Sequence, residues 1–180
     1  MRREVAFSAA ERRSIALIEL HKRYLHLSLI TTDQSDTYGS INWDRYVNDV
    51  DEMLDYASLA VRQNVSEGSP GSSQFHVDIG VTPILFYIVV RCRDPHVRRR
   101  AIHIMRSARV QDGFWNGPLV ARVAQRIMAS EERGVNVNSF EDIPHIRRVR
   151  QAMVFLMPGE RRAMIEFRVP NRGWQETLEW

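Results

Sequence analysis

Between Arg91 and Arg109 the chain places seven arginines: Arg91, Arg93, Arg98, Arg99, Arg100, Arg106 and Arg109. A guanidinium group stays charged at any physiological pH and presents a planar fork of donors, which suits phosphates, carboxylates and backbone carbonyl oxygens. At helical spacing Arg98, Arg99, Arg100, His103 and Arg106 are predicted to cover the outer half of one helix. Such a face is a candidate for phosphate or nucleic-acid contact, with an affinity that falls steeply with salt. The competing expectation is a solvated face whose guanidinium groups pair with the acidic stretch from Asp44 to Asp55 or with carbonyl groups. The second is favoured, because Lys22 is the only lysine and no stripe of stacking aromatics runs beside the arginines.

The other reactive residue types form no constellation. His21 and His26 are five apart and His96 and His103 seven apart, neither being the spacing of a zinc protease helix. His76 and Asp78 can share a strand face but have no third ligand. Asp51, Glu52 and Asp55 fall on the polar side of an amphipathic helix, and Ser14, Ser28 and Ser58 have no nucleophile-elbow context. The nine glycines are scattered at turns, with no phosphate-cradling loop. No metal, no cofactor and no catalytic activity are expected. Cys92, at the end of an apolar run, is expected to be an inert core residue, although flanking arginines would favour a reactive thiolate if it were exposed.

The bulk properties agree with a single folded domain, or a helical layer of something larger. One hundred and eighty residues with 44% hydrophobic side chains are enough for a single core. The formal charge is only +3, so the pI near 9.4 is a weak hint of an anionic partner. A single cysteine excludes an internal disulfide and points to a reducing compartment. The start from Met1 to Phe7 lacks the apolar centre of a secretory signal, and the longest apolar run, Pro83 to Val90, is too short to span a bilayer. An intracellular protein with no membrane contact is expected.

Two long helices are predicted over residues 8–63. Ser8 and Glu11 have the spacing of a capping box for the first. Its apolar residues form two stripes, Ile15, Ile18, Leu25 and Leu29 on one side and Leu17, Leu20, Tyr24 and Leu27 on another, which predicts burial on two sides. Asn42 opens the second helix, whose inward residues run from Trp43 through Val50, Leu54 and Ala57 to Val61. A linker is expected over 64–81. Three short helices follow over 82–134, with antiparallel packing. Thr82-Pro83 and Asp94-Pro95 each read as a cap followed by a first helical residue, and Gly134 as a stop. Residues 150–170 alternate as a hairpin that turns at Pro158-Gly159 and rests Ile165, Phe167 and Val169 on the helices. A closing tail, 171–180, brings Trp174 and Trp180 onto that seam. The expected class is therefore mainly α: a single bundle-like helical domain with a small C-terminal β-hairpin.

Several of these segments, in order and spacing, resemble a known family. They are Asp78-Ile79-Gly80, Pro83-Ile84-Leu85, Arg91-Cys92-Arg93-Asp94-Pro95, Arg98-Arg99-Arg100-Ala101-Ile102, Asp112-Gly113-Phe114-Trp115 and Ala129-Ser130-Glu131-Glu132. They resemble the C-terminal regulatory region of fungal binuclear zinc-cluster transcription factors, with Cys92, Arg93, Asp94, Pro95, Arg99, Gly113 and Trp115 as the structural motif. The resemblance implies a nuclear, non-catalytic region that regulates transcription through a protein partner, self-association or a small effector. The six-cysteine cluster that reads DNA in that family is absent, so DNA contact is expected only indirectly. The chain is accordingly expected to be a fragment, or a shortened relative that kept the regulatory part. A basic nucleic-acid module using Arg98, Arg99, Arg100 and Arg106 is the alternative function, and an uncharacterised enzyme a more distant one.

Overall fold

The computed structural model describes residues 7–32, 42–62, 74–76, 80–108, 110–112, 115–157 and 162–179. Among these, five helices precede a C-terminal antiparallel sheet, so the fold is mainly helical with a small β element, as the periodicities predict. Helix α1 (Ala9–Thr31) begins at the expected capping box. Ser8 Oγ accepts from the Glu11 amide at 3.2 Å, and the Glu11 carboxylate accepts from the Ser8 amide at 2.7 Å. Those bonds hold the Glu11 carboxyl below the usual carboxylate range.

Helix α2 (Val47–Arg62) is entered through a short 3-10 turn, Asp44–Tyr46. Asn42 accepts from the Asp44 amide at 2.7 Å, so it does help to start this segment. Trp43 beside it is fully buried, with its indole N–H donating to Thr31 Oγ1 at 3.1 Å. Helix α3 (Val81–Arg91) has Gly80 as its N-cap, not Thr82. Thr82 is buried and Pro83 lies two positions inside, still within the first turn where a missing amide proton costs nothing. The Asp94-Pro95 expectation holds: Asp94 Oδ1 accepts from the Val97 amide at 3.0 Å at the start of α4 (Pro95–Ala108). Helix α5 (Gly117–Glu131) is capped by Asn116, and Gly134 beyond it takes the left-handed φ of +71° that ends the helical path.

Two cores result. Leu20, Trp43, Leu54, Leu85, Ile88, Cys92, Val97 and Met105 belong to the first, which joins α1 to α4. Leu119, Val123 and Ile127 of α5 meet Val149, Ile165, Phe167 and Leu178 in the second. Helix α5 thus separates them, turning small Ala121 and Ala124 to the helices and branched side chains to the sheet. The sheet is β4 (Gln151–Met157), β5 (Arg162–Val169) and β6 (Arg172–Glu179), in that order and all antiparallel. Residues 172–179 therefore extend the hairpin by a third strand, where a closing tail is the expectation from sequence. Their side chains alternate, but Gly173 and the polar residues mask the period, and pairing with β5 supplies the missing preference. Trp174 does close the seam, stacked on Phe167 at 5.1 Å. Trp180 and Pro158-Gly159 lie outside the described residues. A second, smaller sheet joins β1 (Gln74–His76), β2 (Val110–Asp112) and β3 (Trp115–Asn116), with β1 falling inside the segment expected to be a linker. Most of that segment, 63–73 and 77–79, lies outside the described residues.

Helix α1 departs most from expectation. Ala16, Leu20, Leu27 and Thr31 are buried against the bundle, whereas Ile15, Ile18, Leu25 and Leu29 are exposed, Leu29 by 74%. Only one of its two apolar stripes is covered among the described residues. Replacing Leu20 by alanine should cost about 2–5 kcal/mol by opening a cavity. Leu29→Ala should change stability by less than about 0.5 kcal/mol. Urea denaturation of the two variants checks this, and equal losses would contradict one-sided burial.

Candidate functional site

Two arginines of the segment, Arg93 and Arg98, fold into a buried ionic cluster. The link between α3 and α4 brings Arg93 to the joint, and its amide donates to Asp44 Oδ1 at 2.5 Å. Arg148, just before β4, donates to the other oxygen of Asp44 at 2.9 Å. At the far side Glu131, in the last turn of α5, takes Arg98 through its Oε2 and the Val149 amide through its Oε1 at 2.6 Å. Arg93 also approaches Glu131, at 3.7 Å. All five side chains are buried, and Arg98 and Glu131 are 0% exposed.

Three guanidinium groups face two carboxylates, and carbonyl oxygens take several of the remaining donors, leaving Arg93 Nε and Arg98 Nη1 without a hydrogen-bond partner. Arg98 Nε donates to Val89 O at 3.0 Å, and Arg93 to Arg91 O at 3.2 Å and Val149 O at 3.3 Å. Arg148 donates to Ile143 O and Phe140 O. Val89 and Arg91 close α3, where carbonyls lack intrahelical partners and the helix dipole is negative, so cations belong there. Burial pushes the Arg93 guanidinium below its ordinary value, and Glu131 opposes that shift. The cluster accordingly ties five segments: the start of α2, the α3–α4 joint, α4, the end of α5 and the lead into β4.

The four arginines nominated as a phosphate-binding face are divided. Arg98 is inside, because the residues three, four and seven positions on are Ala101, Ile102 and Met105, all buried. Grouping it with Arg99 and Arg100 ignored that periodicity. Arg99 is on the surface and pairs with Glu132 at 3.0 Å. Arg100 bridges Asp51, at 2.6 Å, and Asp55, which is the pairing with the acidic helix that the sequence favours. Arg106 donates to Gln125 at 2.7 Å. Glu131 was not nominated as a site residue. A signal existed: it continues the inward series Val123, Ile127, and a carboxylate in the last turn of a helix opposes the dipole unless a cation meets it.

Among the other motif residues, Cys92 follows α3 and is fully buried, and burial pushes its thiol up to about 12. Arg98 favours the thiolate there but is outweighed. Pro95 is buried at the first turn of α4. Trp115, half-buried in β3, packs its ring 5.7 Å from Phe86 of α3, while Gly113 lies outside the described residues. Among the described residues no group of three His, Cys, Asp or Glu could hold a metal ion, and no helix is long and apolar enough to cross a membrane.

Among the described residues, the outer stripe of α1 is an exposed apolar surface. Ile15, Ile18, Lys22, Leu25 and Leu29 repeat at alternating spacings of three and four, the seam spacing of a helix that packs on another helix. Lys22 interrupts it at the centre, its ammonium 3.2 Å from Glu19.

Over 112 residues the chain is 30% identical to the aspercryptin biosynthesis cluster-specific transcription regulator of Emericella nidulans. The match takes in 60% of this chain but 18% of that protein, so it spans less than a fifth of the relative's length. The similarity supports a fungal transcription-factor-related region. No family profile matches the chain, and no solved structure matches it.

Removing the Glu131 charge strands two buried guanidinium groups, whereas Glu132 holds only an exposed one. Glu131→Gln should cost about 3–5 kcal/mol and Glu132→Gln about 1 or less, read from guanidinium chloride midpoints. Comparable small losses would refute the clamp. The raised thiol of Cys92 should also make it inert to a thiol reagent such as DTNB, reacting roughly 100-fold faster or more in denaturant. Prompt modification of the native chain would contradict its burial.

Proposed function

We propose that this chain is a non-catalytic regulatory domain of a fungal transcription-factor-like protein, working in the nucleus through protein contacts. The observation that carries the reading is the exposed apolar stripe of α1. A row of exposed apolar side chains on one helix face is the kind of surface that marks an interaction site. Its spacing fits a partner helix laid along the stripe, and Lys22 at the centre favours a partner with an acidic residue opposite. The similarity to a transcription regulator supplies the regulatory context. With Cys92 as the only cysteine, this sequence holds no six-cysteine zinc cluster of its own, so DNA recognition would come from another segment or another protein.

The nucleic-acid alternative has less support. Of its four arginines one is buried and the other three already hold Glu132, Asp51, Asp55 or Gln125.

Tethering the chain to an unrelated DNA-binding domain upstream of a reporter in a fungal host tests the reading. Reporter output should change several-fold. The variant Ile18→Ser with Leu25→Ser and Leu29→Ser should abolish that change while its melting temperature stays near the wild-type value, since the three side chains are exposed. No response from the tethered wild type, or an unaltered response from the variant, would overturn it.

A further inference from the structure

Many arginines of this protein hold a carboxylate: Arg23 with Glu52, Arg98 with Glu131, Arg99 with Glu132, Arg148 with Asp44 and Arg168 with Glu166. Arg133, Arg147 and Arg172 have none among the described residues, and all three line one cleft of about 570 Å³. They come from separate places: the turn after α5, the 3-10 turn His145–Arg147 before β4, and the first residue of β6. Arg147 donates to the Arg133 carbonyl at 2.7 Å, and Arg172 lies over the Trp174 ring at 5.5 Å. The lining thus holds three guanidinium groups and one carboxylate, Glu176, whose Oε1 accepts from the Trp174 indole N–H at 3.1 Å.

The opposite part of the lining is apolar. Ile146, Val169 and the half-buried Trp174 form it, with Trp174 held in place by its stack on Phe167. Like charges gathered in excess of their counter-charge repel one another, and an anion relieves that repulsion. A guanidinium fork takes two oxygens of a carboxylate or phosphate at once, and apolar side chains take a flat ring. The volume lies within the ~300–1,000 Å³ range of small-molecule sites.

We propose that this cleft binds a small organic anion with a flat apolar body, a carboxylate or a phosphate monoester. Arg133, Arg147 and Arg172 receive the charged end, and the apolar side chains Ile146 and Val169, beside Trp174, receive the ring. The inference stands apart from the regulatory reading, because it concerns binding by the purified chain and no transcriptional output.

The test is calorimetric titration of the full chain with 2-naphthoate, 2-naphthyl phosphate, inorganic phosphate and the neutral 2-naphthalenemethanol, with the Trp174 indole N–H resonance followed in parallel. At least one of the two naphthyl anions should saturate and shift that resonance, and which one does so identifies the charged group. Arg133→Ala and Arg172→Ala should each weaken the binding about tenfold, the size expected for one charge-assisted contact. Both residues are exposed, so the variants should fold; Arg172→Gln, which keeps a polar stem, serves as the second variant and should weaken binding likewise. Equal affinity for the neutral alcohol, undiminished binding by the arginine variants, or no saturation by either naphthyl anion would each overturn the proposal. Inorganic phosphate binding as tightly as naphthyl phosphate would do so too, by removing the role of the apolar wall.

Discussion

Everything from α2 to the C-terminal sheet meets at two buried carboxylates, Asp44 and Glu131. Each carries a full charge inside a low-dielectric interior, which is tolerable only with cations and donors close around it. The chain meets that demand from far apart in sequence: Arg93 and Arg148 come to Asp44, and Arg98 and the Val149 amide come to Glu131. Because an unmet buried charge is so costly, the cluster permits few alternative arrangements of these segments. Its net contribution to stability need be no greater than that of an apolar replacement. What it supplies is position, at the place where the helical core ends with Cys92 and the helix–sheet core begins with Val149.

The same groups solve a second difficulty. Helix α3 is apolar nearly all round and ends in the interior, where its last carbonyl oxygens cannot reach water. Val89 O takes Arg98 Nε, Ile88 O takes the Cys92 amide, and Arg91 O takes both the Trp43 amide and Arg93. A helix end that would otherwise be costly to bury becomes the anchor of the fold. Pairing Arg93 and Arg98 inward also explains why so arginine-rich a segment presents little free charge at that surface. Among the described residues, guanidinium groups without a carboxylate partner line the cleft of Arg133, Arg147 and Arg172, and large apolar side chains stand exposed along α1.

The sequence by itself determined the element types, because period and capping chemistry are local. Ser8 with Glu11, Asp94 with Pro95 and Gly134 act within a few residues of themselves, and the alternation of Ile165 and Phe167 needs only a sheet to lie in. It also indicated that Cys92 would be buried and that Arg100 would meet the acidic face of α2. Tertiary structure decided what depends on distant partners. Whether the outer stripe of α1 is covered turns on which helices are present beside it, and residues 172–179 became a strand because β5 offers an unpaired edge. Arg98 and Glu131, thirty-three residues apart, each look like surface charge when taken alone. Only their meeting inside the fold makes a clamp of them, since a charge can be buried when its counter-charge is buried with it.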